Sequence, residues 1–110
     1  MEDWSPERLK PVLENNKDQD VFLYLYTPLC GTCQVAGKMI EVVAQLLPEL
    51  QWGKCNLNFI PEYALSWEIE SVPCLIIFRN QVIYEKIYAF RSVPYLYEKI
   101  KAMKKTNSVS

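Results

Sequence analysis

The sequence predicts one α/β domain, with a central mixed sheet of about four strands and helices on both faces. Three observations lead there. The run Val21–Tyr26 is apolar on both faces, with Val21, Leu23 and Leu25 on one and Phe22, Tyr24 and Tyr26 on the other. A strand buried on both sides belongs in the middle of a helix-covered sheet. A helix-like run over 34–47 then leads to a second strand-like run over 51–57, which reads as a parallel βαβ unit. Finally, strand-like runs over 74–78 and 82–89 flank the turn-forming Arg79-Asn80-Gln81, which reads as an antiparallel hairpin.

The remaining elements follow in order. Ser5-Pro6 is an N-cap followed by proline at the first helical position, and Leu9, Val12 and Leu13 supply an apolar stripe. Pro11 does not fit inside a regular helix, so a kink is expected there, or a helix that begins near Pro11. Residues 15–20 read as a polar loop. In the second helix Val35, Met39, Val42, Val43, Leu46 and Leu47 recur at helical spacing, opposite a polar stripe of Gln34, Lys38, Glu41 and Gln45. Pro48 ends it, and Gly37 is its weak point. A short helix is expected over 61–67. Ser92 caps a last helix with Pro94 in its first turn and Leu96, Ile100 and Met103 on its buried face. Residues 106–110 are expected to fray.

Composition narrows the function. The chain has 110 residues, half of them hydrophobic, enough for one domain with a real core. A formal charge of −1 gives no global field toward nucleic acid or anionic membranes. Lys99, Lys101, Lys104 and Lys105 read as a solvated helix end. There is no long apolar span, and the start Met1-Glu2-Asp3-Trp4 does not resemble a signal peptide, so the expected compartment is the cytoplasm. Three glycines form no phosphate-binding loop, and Trp4, Trp52 and Trp67 are too scattered for a base-stacking platform. Glu68 and Glu70 read as solvated carboxylates. With no histidine, His-assisted catalysis and mixed Cys/His zinc sites are excluded.

The chemistry is concentrated in Cys30-Gly31-Thr32-Cys33, at the junction of the first long strand and the second helix. Two thiols at this spacing can close and reopen a small disulfide ring. A sulfur at a helix N-terminus meets unpaired N–H groups and the helix dipole, both of which favour thiolate. The more ordinary alternative is a static disulfide or two inert thiols. Cys55 reads as a small core residue. Cys74 reads as a packing residue, a third redox thiol or a metal ligand. An all-cysteine metal site normally needs two close cysteine pairs, and this chain has one.

Three segments in this order of elements resemble the thioredoxin family over nearly the whole chain: Tyr26-Thr27-Pro28-Leu29-Cys30-Gly31-Thr32-Cys33, Gly53-Lys54-Cys55-Asn56-Leu57-Asn58, and Ser71-Val72-Pro73-Cys74-Leu75-Ile76-Ile77-Phe78. The resemblance implies a thioredoxin-like fold over residues 1–110, without a convincing N-terminal strand from Met1 to Trp4. It implies a cis Val72-Pro73 bond near the two cysteines, and substrate contacts at Leu29, Gly31, Thr32, Val72 and Pro73. It also implies a Cys30 nucleophile resolved by Cys33, and no organic cofactor. Its partners would be disulfide-containing protein or small-molecule substrates and a flavin reductase or low-molecular-weight thiol that recharges it. Nucleic acid and membranes are not expected partners.

The departures are specific. The family usually reads Trp-Cys-Gly-Pro-Cys. Here Leu29 and Tyr26 stand where tryptophans are typical, Thr32 replaces proline, Lys38 replaces the helix-kinking proline, and Asn58 replaces an acid. Tyr24 falls where the family buries an aspartate thought to help deprotonate the second cysteine. Tyr24, Lys54 and Cys74 are therefore the residues expected to tune the redox centre, with Lys54 either a buried positive charge for Cys33 or a snorkelling strand-end lysine. Without the proline, a potential more oxidising than about −270 mV is expected. Two other classes compete with the oxidoreductase: a non-catalytic module that binds peptides on the same surface, and a metal or iron–sulfur protein using Cys30 and Cys33 with help from Cys74 or a second subunit.

Overall fold

The computed structural model describes residues 1–15 and 19–109. The elements are β1 (Glu2–Asp3), α1 (Pro6–Asn15), β2 (Val21–Tyr26), α2 (Gly31–Leu46), β3 (Gln51–Asn56), α3 (Pro61–Ser66), β4 (Cys74–Arg79), β5 (Val82–Ile87) and α4 (Val93–Val109), with a 3-10 turn at Leu57–Phe59 between β3 and α3. The sheet is mixed and five-stranded, in the order β1-β3-β2-β4-β5. β3 runs parallel to β2, while β4 is antiparallel to β2 and to β5.

β2 is central, as its two apolar faces require. Phe22 and Tyr24 join Ala36, Ile40 and Val43 of α2 and Leu96, Ile100 and Met103 of α4 in one core. Val21, Leu23 and Leu25 join Leu9 of α1, Ile60, Trp67 and the β4 residues Cys74, Ile76 and Phe78 in the other. Helices therefore cover both faces of the sheet.

Three expectations are corrected. The sheet has five strands rather than about four, because Glu2 and Asp3 pair in parallel with Gly53 and Lys54. Trp4 completes that edge: its N–H donates to the Lys54 carbonyl at 2.8 Å, and its ring lies where a Cβ on Gly53 would be. Second, α1 begins at Pro6 rather than near Pro11, and helical backbone continues through Pro11. Ser5 caps it, with Oγ accepting the Arg8 N–H at 3.3 Å, and Pro11 and Glu7 are both exposed, so water can serve the Glu7 carbonyl that proline leaves unpaired. Third, the buried stripe of α2 is Cys33, Ala36, Ile40, Val43 and Leu47, while Val35, Val42 and Leu46 face outward. The helical period was right, but its phase is set by packing against Tyr24 and α4. The last helix, α4, carries helical backbone to Val109.

The polar loop expected over 15–20 lies partly outside the described residues. Its last residue, Asp20, is buried and takes both Nε (3.1 Å) and Nη2 (2.8 Å) of Arg79. Nη2 also donates to the Met103 carbonyl at 3.0 Å, tying β4 to α4. The β4–β5 hairpin turns on Asn80 (φ 54°) and Gln81 (φ 68°), the two left-handed residues of a two-residue hairpin loop. Ser92 caps α4 through the Tyr95 N–H at 3.2 Å.

Candidate active site

β2 ends at Tyr26, and the chain turns through Thr27-Pro28-Leu29 into α2. This delivers Cys30 to the N-cap of that helix, in extended conformation (φ −96°, ψ 109°). β4 runs antiparallel to β2 with Cys74 opposite Leu25, so the preceding Val72-Pro73 lies at the same end of the sheet as Cys30. Val72-Pro73 is a cis peptide.

Cys30 and Cys33 form a disulfide, with Cα atoms 5.2 Å apart. The two sulfurs have different surroundings. Cys30 is half-buried, and its Sγ accepts the Cys33 N–H at 3.2 Å and lies 3.3 Å from the Thr32 hydroxyl. A free helix-end N–H and a hydroxyl are what a thiolate at this position would use. Cys33 is 3% exposed. The two thiols thus divide into an accessible one at the surface and a protected one beneath it.

Under Cys33 lies Tyr24, whose hydroxyl donates to the Cys33 carbonyl oxygen at 2.5 Å. Burial pushes the Tyr24 phenol up to about 12, so it stays neutral at physiological pH. Gly37 lies against the ring, where a Cβ would stand 3.4 Å from Tyr24 Cε2. Beside these residues a cavity of about 530 Å³ is lined by Tyr24, Tyr26, Cys33, Lys38, Glu41 and Lys54. Lys54 is one-third exposed, with Nζ 3.9 Å from Asp3 Oδ2 and 5.9 Å from the centre of the Tyr26 ring. The Tyr26 hydroxyl donates to the other Asp3 oxygen at 2.8 Å. Burial first, and then this bond to Asp3, push the Tyr26 phenol to about 12. Lys54 therefore borders the same cavity as Cys33, with its charge held by a carboxylate that the sequence did not single out.

The other two cysteines stand apart. Cys74 projects into the opposite core from Tyr24, and burial pushes its thiol up to about 11, against the opposing pull of a hydrogen bond to Tyr88 and the charge of Lys86. Cys55 shares that core and is also pushed to about 11, mainly by burial. Both are buried free thiols of low reactivity. The polar neighbours of Cys74 are Tyr88 and Lys86, and the described residues contain no group of three or more His, Cys, Asp or Glu that could hold a metal ion.

Around Cys30 the surface is apolar and open. Leu29 is 99% exposed, Gly31 and Thr32 are exposed, and Val72 and Pro73 are partly exposed. The expected substrate-contact residues thus share one end of the sheet. Three contacts were not legible beforehand: the reach of Thr32 to the Cys30 sulfur, the bond from Tyr24 to Cys33, and the packing of Phe90 edge-on to Tyr24 with ring centres 6.0 Å apart. The first had a usable signal, because Thr32 sits two residues past an N-cap. The other two join residues far apart in the chain.

The thioredoxin family model matches residues 5–102. The chain is 47% identical over 98 residues to the thioredoxin-like protein YusE of Bacillus subtilis, which covers 89% of this chain and 91% of that protein. It is 29% identical over 82 residues to a thioredoxin of Mycoplasmoides gallisepticum, covering 74% and 80% of the two chains. Its fold matches the crystal structure of Chlamydomonas reinhardtii thioredoxin f2 with a TM-score of 0.82 at 20% identity, over 94% of this chain and 95% of that one. No helix among the described residues is long and apolar enough to cross a membrane. With a disulfide at the start of α2, a cis proline at the same end of the sheet and a family match over most of its length, the chain belongs to the thioredoxin family and is a thiol–disulfide oxidoreductase built on the Cys30–Cys33 pair.

Proposed function

We propose that the protein reduces disulfides in protein substrates, with Cys30 attacking and Cys33 resolving. The observation that carries the reading is the contrast between the two sulfurs: Cys30 accessible at the N-cap beside a backbone N–H and the Thr32 hydroxyl, Cys33 enclosed one helical turn further in. Reduced Cys30, as thiolate, attacks one sulfur of the substrate disulfide. A Cys30–substrate bond forms, and the other substrate sulfur leaves as a thiolate and takes up a proton. Cys33 then gives up its proton and attacks Cys30 Sγ. The mixed disulfide breaks, the second substrate thiol is released, and Cys30–Cys33 is the oxidised product.

Leu29, Gly31, Thr32, Val72 and Pro73 form the docking surface, with the Val72 backbone pairing to an extended substrate segment. The dithiol needs no organic cofactor. A reductase or a low-molecular-weight thiol returns two electrons to the pair, and the cytoplasm is the compartment that keeps such a pair reduced. Tyr24 and Lys54 tune the pair, Tyr24 through the Cys33 backbone and Lys54 through the cavity they share; Cys74 acts as core.

One observation favours a second reading. No carboxylate occupies the position of Tyr24, so a peptide-binding module with slow turnover fits the same surface. Insulin reduction in dithiothreitol separates the two. The oxidoreductase accelerates precipitation, Cys30→Ser abolishes that acceleration, and Cys33→Ser traps a mixed disulfide. A rate equal to the uncatalysed reaction supports the binding module.

A further inference from the structure

The segment after β5 joins the two halves of the site. β5 pairs with β4 up to Ile87 opposite Leu75, so residues 88–91 continue alongside the strand that leads back to Pro73 and Val72. Tyr88 fixes that approach: its hydroxyl accepts the Glu70 N–H at 3.1 Å and bonds the Cys74 thiol. Phe90 turns inward against Tyr24, the residue that holds the Cys33 carbonyl. Arg91 is next, and it turns outward.

Arg91 adopts φ 50°, a left-handed conformation that glycine takes freely and an arginine takes only under strain. The turn into the Ser92 cap requires that conformation, yet the residue there is long and charged. Its side chain is exposed, and its guanidinium lies 5.0 Å from the centre of the Tyr95 ring, a face that is itself 38% exposed. Among the described residues no carboxylate pairs with Arg91. Two other cations near this end of the chain are committed: Lys86 donates to the Trp67 and Glu68 carbonyls, and Lys99 pairs with Glu85. Among the described residues Arg91 is thus a cation with no carboxylate partner, held over an aromatic ring, on the segment that continues alongside the strand leading back to Val72-Pro73.

We infer that Arg91 is a specificity-determining residue that selects disulfides flanked by acidic side chains. This rests on the substrate-reduction reading above and names its substrate class. A carboxylate on a segment docked along Val72 would meet a guanidinium already held on Tyr95, with little ordering left to do. Glu70 lies on the loop leading to Val72 and adds its own charge to that surface, so the preference is read as a ratio between substrates.

The test uses two disulfide peptides of one sequence, differing only in Glu or Lys at the residues flanking the cysteines, reduced by the dithiothreitol-fed protein at low and high salt. Wild type is expected to favour the acidic peptide about three- to fivefold in kcat/KM at low salt, the scale of an exposed ion pair, and to lose that preference at high salt. Arg91→Gln, which keeps the backbone requirement, brings the ratio to parity. Arg91→Glu inverts it, and Arg91→Lys keeps most of it. Equal wild-type rates for both peptides, or a ratio unchanged in Arg91→Gln, overturns the inference while leaving the reductase reading standing. No catalysed turnover of either peptide overturns both.

Discussion

The Tyr24 hydroxyl donates to the carbonyl oxygen of Cys33 at 2.5 Å, so the residue where the family buries an acid here holds the backbone of the enclosed cysteine. A phenol pushed to about 12 is no proton acceptor at neutral pH. Its role is to hold the first turn of α2 against the sheet. Tyr24→Phe is therefore expected to cost about 1 kcal/mol of stability, the net worth of one hydrogen bond, measured by urea unfolding. The pH profile of insulin reduction between pH 6 and 9 should keep its shape. A profile whose inflection moves with this substitution would make Tyr24 a participant in proton transfer.

The buried phenols and thiols predict alkaline sensitivity. Cys55 and Cys74 rise from 9.0 to about 11, and Tyr24 and Tyr26 from 10.0 to about 12. A group whose pKa is higher in the folded state contributes its full stability below its unfolded value and loses it as pH rises toward the folded one. Stability against urea from these groups should thus be level up to about pH 9, decline first through the thiols, and then decline further through the tyrosines up to about pH 12. Cys55→Ala and Cys74→Ala, compared with wild type by their change from pH 8 to pH 10.5, should each flatten the first part of the decline.

Thr32 replaces the proline usual between the family's cysteines, and its hydroxyl lies 3.3 Å from the Cys30 sulfur. In the reduced protein that hydroxyl can donate to the thiolate. Thr32→Val keeps the shape and removes the donor. Alkylation of Cys30 by iodoacetamide at pH 7 is expected to slow by about fivefold, the equivalent of roughly 1 kcal/mol. An unchanged rate would assign thiolate stabilisation to the helix end alone.

Two glycines should respond in opposite directions. A Cβ at Gly53 collides with the Trp4 ring, so Gly53→Ala should destabilise the protein by about 1–3 kcal/mol and shift tryptophan emission as Trp4 leaves its site. At Gly37 the nearest atom to a new Cβ is Tyr24 Cε2 at 3.4 Å, an ordinary contact. Gly37→Ala should stabilise α2 by up to about 1 kcal/mol through helix propensity. Thermal unfolding of the two variants side by side checks both signs.

The contrast between these glycines also marks what could be read from the sequence. β2 was legible because every one of its residues is apolar, which leaves a buried central strand as the simplest solution. The hairpin was legible because Asn80 tolerates φ > 0, although its partner Gln81 does so with no such preference. β1 was not, because two acidic residues carry no period; it exists because β3 offers an edge and Trp4 fits over Gly53. The face of α2 was misread because the helix has more apolar residues than one stripe can bury, so Val35, Val42 and Leu46 had equal claim with Ala36 and Ile40 until the neighbouring elements were in place. The two active cysteines were legible from spacing and setting. Tyr24 was reached only through the resemblance, and its bond to the Cys33 carbonyl, like the contacts of Asp3 and Phe90, was not legible: these residues act through space, across strands and loops that local pattern does not connect. The same holds for the Asp20–Arg79 pair, which joins the end of a loop to the end of β4.

The most direct test of the central claim is a redox titration against dithiothreitol or glutathione buffers, quenched by alkylation and read cysteine by cysteine by peptide mass spectrometry. The account predicts one reversible two-electron couple confined to Cys30 and Cys33, more oxidising than about −270 mV, with Cys55 and Cys74 reduced throughout. Cys30 and Cys33 that stay reduced under oxidising buffers, or that oxidise irregularly with Cys55 and Cys74, would contradict it.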